Sequence, residues 1–541
     1  MSALTGTGRL VRLAVRRDRV KLPLWILGTP MLAGGLAASV AGLYPGERER
    51  IGYAATATAS VVARAFNGPV HGTGVGAVVT AESFLTLSIL AALLSSFAVV
   101  RHTRQNEETG RAELLGSAVL GRYALLTAAL LVVLGANLLT AALTAGALVA
   151  AGLPVAGSVA AAAAVGGVGV CFAAVAAVTA QFTDASRGAN ALAAAALGVA
   201  FVLRAAGDVL GRVSADGMQL TSAWPSWLSP LGWGTQVRPY GDVRWWTLLL
   251  PLGLLLVAVA LAYRLTDRRD LGAGLFAARP GPASASPRML SPFGLAWRLQ
   301  RGTLIGWTVG VALLAVAMGV VGDEIDAMVA DNDAAAELVT RFGGGPALVD
   351  AYLSAMVGIF ALVVGAYVVQ ALLRVRTEET DGILEAVLAT SVDRRTWLGG
   401  HLLATVLGVT ALMLVAGAGT GFGYGLAAGD VAGRTLEVTG AALVRLPALL
   451  VLVGVVLALV GLAPRWSVPL SWSALLVFLL IGQLGAVLDL PQPVLDLSPF
   501  THVPAAPAVD VTATPLVALT VLAVLLVGAG LVGYRRRDLH T

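Results

Sequence analysis

Cysteine is almost missing from this chain. Cys171 is the only one in 541 residues, so no internal disulfide and no multi-cysteine metal site can form. Lysine is equally scarce: Lys21 stands alone, and arginine supplies the other 35 of the 36 basic residues. A P-loop needs a lysine between glycine and serine or threonine to reach the β- and γ-phosphates. Lys21 sits in Arg19-Val-Lys-Leu-Pro23, so the chain carries no such loop and is no P-loop ATPase by itself. The five histidines are scattered and form no HExxH pair, which removes the zinc-protease reading. Charge is also short, at 12% of residues against roughly 25% in a soluble domain.

Apolar residues take the place of all these. The AVILMFWYC set makes up 57% of the chain and mean hydropathy is +0.83. Such a composition excludes a water-facing enzyme and a disordered chain, and describes an all-α integral membrane protein. About 20 mainly apolar residues cross a bilayer. Twelve such stretches are expected, near 22–43, 80–100, 123–152, 157–181, 189–211, 245–263, 303–322, 352–373, 397–428, 440–463, 468–488 and 514–533. With the N-terminus inside, 26 Lys and Arg fall in inner segments and 8 in outer ones. The positive-inside rule then places both termini of this multi-pass cell-membrane protein in the cytoplasm.

The chain reads as a tandem duplication. Arg298, Arg301 and Trp307 repeat Arg16, Arg19 and Trp25 at an offset of 282. Arg341-Phe-Gly-Gly-Gly-Pro346 echoes Arg64-Ala-Phe-Asn-Gly-Pro69, and Leu497-Ser-Pro499 echoes Leu228-Ser-Pro230. Glu378-Glu379-Thr380 repeats Glu107-Glu108-Thr109 at 271, while Gly382 and Glu385 repeat Gly110 and Glu113 at 272. Arg536-Arg-Asp-Leu539 repeats Arg268-Arg-Asp-Leu271 at 268. Ordered matches with slowly drifting offsets mark an internal repeat. Six spans per half return the chain to the same side, so the halves are parallel repeats about an axis along the membrane normal, which puts a natural cavity on that axis. The expected layout is an amphipathic elbow helix at 1–21, a first six-helix half at 22–263, a linker with a second elbow at 264–302, and a second half at 303–541.

Polar residues concentrate in two matching loops. The first runs Arg101-His-Thr-Arg-Gln-Asn-Glu-Glu-Thr-Gly-Arg-Ala-Glu-Leu-Leu115 and the second Arg374-Val-Arg-Thr-Glu-Glu-Thr-Asp-Gly-Ile-Leu-Glu-Ala-Val387. A glycine followed three residues later by glutamate suits the start of a short helix. A solvated connector would account for one such loop; its repetition favours protein docking, and two copies call for a twofold partner. Within the spans, Arg204 and Asp208 lie i, i+4 and are expected to pair, whereas Arg445 near a span end is expected to snorkel. No deep carboxylate reads as a proton relay, and there is neither a catalytic constellation nor a metal site. Trp224, Trp227 and Trp233 read as interfacial anchors before the sixth span, with a short re-entrant segment expected at the outer mouth.

At the first acidic loop, followed by Gly121-Arg-Tyr123, the chain resembles the ABC-2 type permeases, in particular the actinobacterial exporters of polyketide antibiotics, which are twelve-span fused permeases. The second loop departs from that pattern, with Asp381 inserted and no arginine matching Arg111. The resemblance implies a permease subunit that exports hydrophobic drug-like or antibiotic molecules. It would be docked by two copies of a separate ATP-binding subunit, which would bind the ATP and Mg; this chain would carry no cofactor and bind no nucleic acid. Docking would use Glu107, Glu108, Gly110, Arg111 and Glu113 of the first loop, and Glu378, Glu379, Asp381, Gly382 and Glu385 of the second. Phe84, Leu87 and Phe360 are the candidate cavity-lining residues. The alternative is a proton-coupled multidrug transporter of the 6+6 type. It calls for a basic Gly-rich loop between spans two and three and for buried titratable groups. A third class, a membrane partner that passes motion to an outer enzyme, would need a larger outer domain than the segments 44–79 and 323–351 provide.

Overall fold

The computed structural model describes residues 2–270, 272–276, 283–284, 286–330, 345–484 and 491–537. Among them the only sheet is a two-residue ribbon, Arg212–Val213 paired antiparallel with Leu220–Thr221. Everything else that is regular is helix, and eleven helices are long and apolar enough to cross a membrane. The stretch expected as an additional span is the 18-residue apolar helix Ser467–Leu484. At about 1.5 Å per residue it reaches about 27 Å, just under a hydrocarbon core of about 30 Å. Contacts divide the chain into two compact units, Met1–Gly281 and Pro282–Thr541. Of the repeat motifs, Arg341 to Gly344, Leu271, Asp538 and Leu539 lie outside the described residues, as do most of the linker 278–287 and residues 331–344 of the outer segment 323–351.

The first unit opens with α1, Thr7–Arg17, which buries Leu10 and Ala14 and turns its arginines outward. The spans α2 (Lys21–Leu43) and α3 (Val75–His102) follow, then the short helices α4 (Arg104–Glu108) and α5 (Arg111–Gly116). The remaining long helices are α6 (Ala124–Ala150), α7 (Val155–Phe182), α8 (Ser186–Val209) and α9 (Leu249–Asp267). α7 lies at the centre, touching α3, α6, α8 and α9. Its run of alanines and glycines explains why: lipid supplies no hydrophobic drive between helices, so small side chains that let backbones close up decide which helices pack. At Gly169 a side chain would collide with Asn137 of α6, whose amide donates to Ser95 of α3 at 2.9 Å. The Leu-Ser-Pro segment forms a 3₁₀ turn, Trp224–Leu228, and a short helix, Pro230–Thr235, packed on α8. Ser229 caps that helix and also donates to the Ala200 carbonyl at 2.6 Å.

The second unit holds α10 (Pro292–Ala330), α11 (Gly345–Thr380), the short α12 (Ile383–Leu388), α13 (Arg394–Ala428), α14 (Val431–Leu443), α15 (Leu446–Leu462), α16 (Ser467–Leu484) and α17 (Ala513–Arg536). Glycines drive its tightest contacts. Gly417, Gly421 and Gly425 form one stripe of α13 that meets the backbone of Val431, Thr435 and Thr439. Gly419 and Gly423, on another face, let α10 approach at Ala315 and Val316.

Two expectations change here. The second elbow is not a separate helix: Pro292–Ala330 runs unbroken. In the first unit the chain breaks at Asp18, whose carboxylate is drawn to Arg101 at 2.8 Å and His102 at 2.9 Å. The matching residue, Gln300, stays helical and contacts His401. Arg445 does not snorkel. It occupies the turn between α14 and α15, is only 7% exposed, and donates to the Ser354 carbonyl and hydroxyl at 2.8 and 3.0 Å. After Leu228-Ser-Pro230, where a short segment at the outer mouth is expected, the chain is helical; at Leu497-Ser-Pro499 it stays in turns. Arg204 and Asp208 do pair, at 3.2 Å, fully buried in α8.

Candidate functional site

The first acidic loop begins where α3 ends, at Thr103. Gly110 takes φ 70°, a left-handed turn that a side chain would strain, and this turn aims α5 away from α4. Glu107 does not face solvent: its side chain is 3% exposed. Arg269, two residues past the end of α9, grips both its oxygens at 2.7 Å. Arg104, one turn earlier in sequence, donates to it at 2.8 Å, and the Gly272 amide adds a bond at 3.2 Å. Both arginines are held in turn. Arg104 donates to the Ala180 carbonyl at 3.0 Å through Nε, and Arg269 to the Gln181 side chain at 2.7 Å. The carboxylate therefore joins α4 to the end of α7 and to the segment just past α9.

Its neighbours serve other contacts. Glu108, though exposed, accepts from the Ser186 amide at 3.0 Å, satisfying a free N–H at the start of α8. Asn106 accepts from Arg17 of α1 and donates to the His102 carbonyl at 2.9 Å. Burial and the nearby Arg111 guanidinium hold the Arg17 pKa below its ordinary value.

The second loop is built the same way. Gly382 takes φ 73° and opens α12. Glu379, with a side chain 4% exposed, accepts from Arg376 at 2.9 Å and from Arg537 just past α17 at 2.7 Å. Glu378 takes Arg374 at 2.9 Å and lies 3.4 Å from His401.

Thus Glu107 corresponds to Glu379, Arg104 to Arg376 and Gly110 to Gly382, all at an offset of 272. This corrects the register taken from the Glu-Glu-Thr identity. Asp381 is no insertion; it stands opposite Thr109, Glu378 opposite Asn106, and Glu108 opposite Thr380. The two paired carboxylates are internal latches. The sequence reading missed their partners Arg104, Arg269, Arg376 and Arg537, although the Arg-Arg-Asp-Leu repeat after each half's last span marked two of them.

Apart from Glu108 and Gly110, the predicted docking residues divide into two groups. Glu107, Glu378 and Glu379 are engaged inside their own units. Arg111 and Glu113 on α5, and Asp381, Gly382 and Glu385 around α12, are exposed. Leu114 is 76% exposed and Ile383 52%, while Ala112 and Leu384 anchor the undersides. Each short helix therefore shows an apolar residue flanked by charge. Phe84, Leu87 and Phe360 are buried in the cores of their own units, at 3% exposure or less. Among the described residues no three His, Cys, Asp or Glu are placed to hold a metal.

A bundle of long apolar helices with its ion pairs gathered at helix ends is an integral membrane protein. Residues 289–535 match the family described as multidrug efflux system permease Rv1217c, C-terminal domain. The whole chain is similar to the multidrug efflux system permease protein Rv1217c of Mycobacterium tuberculosis (strain ATCC 25618 / H37Rv), with 44% identity over 542 residues, covering 100% of this chain and 96% of that one. The chain belongs to this multidrug efflux permease family and is a transporter rather than an enzyme.

Proposed function

We propose that the chain is the permease subunit of an ATP-driven ABC exporter that moves hydrophobic, drug-like molecules out of the cell. In this reading it has twelve spans in two parallel halves, with both termini in the cytoplasm. Two copies of a separate ATP-binding subunit seat on α5 and α12. The observation that carries the reading is the pair of latches. Each half presents a short exposed helix, entered through a left-handed glycine and tied by a buried carboxylate to an arginine just past the half's last long helix. A push on α5 or α12 thereby reaches the spans without being absorbed by a loose loop. The relative's name, a multidrug efflux permease, supports a hydrophobic small-molecule cargo. The proton-coupled alternative needs a free titratable group inside the bundle, and the buried Asp208 is already paired with Arg204.

Leu114, Arg111 and Glu113 would make the contact on α5, and Ile383, Asp381 and Glu385 the contact on α12. The test is purification of the tagged chain from its own cells, with ATP hydrolysis and subunit ratio measured in the eluate. Two ATPase copies per permease are expected, and Leu114→Asp should lose them while the permease still elutes as a folded species. A permease that elutes without ATPase activity, or one indifferent to Leu114→Asp, would argue against docking on α5.

A further inference from the structure

The fourth long apolar stretch differs between the two halves. In the first unit α7 runs unbroken from Val155 to Phe182 and holds no Asp, Glu, Lys, Arg or His. In the second unit the corresponding stretch, Val431–Leu462, breaks into α14 and α15 at Val444 and Arg445. Pro447 accounts for the break: it has no N–H for the helical ladder, and its ring crowds the carbonyl four residues back. Arg445 therefore sits inside an apolar run. Along the axis it lies about 12 Å beyond Glu437, the charged residue before it in sequence, and about 30 Å short of Arg465, the next one after it.

This guanidinium is only partly satisfied. Arg445 is 7% exposed, and among the described residues no carboxylate pairs with it. The acidic residues on the adjoining helices, Asp350 of α11 and Glu437 of α14, are drawn to Arg434 instead, at 3.5 and 2.8 Å. Nη2 is spent on Ser354, and Nε is buried without a partner. Nη1 makes no hydrogen bond among the described residues, yet it is not sealed in. Gly358, one turn beyond Ser354 on α11, is half-buried, and a side chain there would meet the guanidinium first at Nη1, 3.4 Å from its Cβ. The missing side chain leaves Nη1 an opening onto the stripe of α11 that carries the exposed Ala351 and Ala355 and the half-buried Ile359.

A guanidinium held in an apolar bundle without an anion is costly. The N-terminus of α15, which begins at Leu446, adds charge of the same sign at the same place. The site thus calls for a negative charge, and its surroundings say what carries it. An inorganic ion would have to shed its water for few donors among apolar side chains. A carboxylate borne on an apolar skeleton enters with a body that the stripe of Ala351, Ala355 and Ile359 accommodates. We propose that Arg445 is a carboxylate-binding subsite for exported cargo, in which one carboxylate oxygen accepts from Nη1 and the apolar body of the same molecule lies along that stripe. The cargo class for this subsite is a hydrophobic monocarboxylic acid or a zwitterion built on such a skeleton. The assignment rests on the reading of the chain as an exporter of hydrophobic molecules and is independent of what energises it.

The test is equilibrium binding to the intact chain in nanodiscs of neutral lipid, read by energy transfer from tryptophan to pyrene with empty discs subtracted. The probes are pyrenebutyric acid and its methyl ester, which share one skeleton and differ by a charge, with affinities expressed per mole of probe in the lipid. At neutral pH in gluconate buffer the acid should bind about tenfold to a hundredfold more tightly, the factor that a hydrogen bond to a charged group supplies. Arg445→Met should erase the difference. Gly358→Val, which covers Nη1 while leaving Arg445 in place, should erase it too. Equal binding of acid and ester by the unmodified chain, a comparison that needs no variant, would overturn the assignment, as would a difference that survives in Arg445→Met. Loss of the acid's advantage when chloride replaces gluconate would give the guanidinium to a small inorganic ion and overturn it as well. Binding needs neither ATP nor a gradient, so failure of the exporter reading in transport assays would leave this result in place.

Discussion

Replacing Glu107 by alanine tests the latch most sharply. In the native chain its carboxylate receives two bonds from Arg269 at 2.7 Å and one from Arg104 at 2.8 Å. The side chain of Arg104 is 0% exposed and that of Arg269 7%, so the variant strands two guanidinium groups where water scarcely reaches. Removing one partner of a buried ion pair costs about 3–5 kcal/mol. The lower end applies, because Arg104 keeps the Ala180 carbonyl and Arg269 keeps Gln181. Glu379→Ala should cost less, about 1–2 kcal/mol, since Arg376 and Arg537 are 24% and 13% exposed and can recover water. Glu113→Ala, on the open face of α5, should stay within about 0.5 kcal/mol. Unfolding in mixed micelles, followed by tryptophan fluorescence, should rank the losses in that order. Adding Arg269→Leu to Glu107→Ala should recover part of the loss, because neighbouring partners are not additive. Native-like stability of Glu107→Ala, or an equal loss in Glu113→Ala, would refute the latch.

Other expectations follow from the same packing. Gly421→Leu should destabilise the second unit by at least about 3 kcal/mol, because its side chain meets the backbone of Arg434 and Thr435; protease sensitivity of α13 and α14 reads this out. Gly110→Ala should cost about 1 kcal/mol through its left-handed backbone alone and should weaken ATPase stimulation without blocking membrane insertion. Arg445→Met, which leaves no carboxylate behind among the described residues, should unfold within about 1 kcal/mol of the native chain. Arg204→Met leaves Asp208 buried and unpaired and should lose about 3–5 kcal/mol.

The all-helical membrane architecture was legible from the apolar runs. Long apolar runs gave the helices, and the glycines preceding Glu113 and Glu385 marked the starts of α5 and α12. The register of the second loop was not legible. The identity Glu-Glu-Thr is a local coincidence, and what sets the register is an arginine three residues before the latching glutamate and a glycine three residues after it. Nor does proximity in sequence show that Arg269 and Arg537 close those latches, since 162 and 158 residues separate the partners. Arg445 was misplaced because 440–463 looked like one continuous span, whereas the helix breaks at Val444 and Arg445.

The central claim is that transport runs on ATP delivered through a second polypeptide seated on α5 and α12. The direct measurement is uptake of a hydrophobic cation into vesicles containing the purified chain, with and without its ATPase partner, under ATP or under a pH gradient. Uptake should require the partner and ATP, persist when the gradient is collapsed, and fall with Leu114→Asp. Uptake by the permease alone, driven by a pH gradient without ATP, would contradict the account and install the proton-coupled reading in its place.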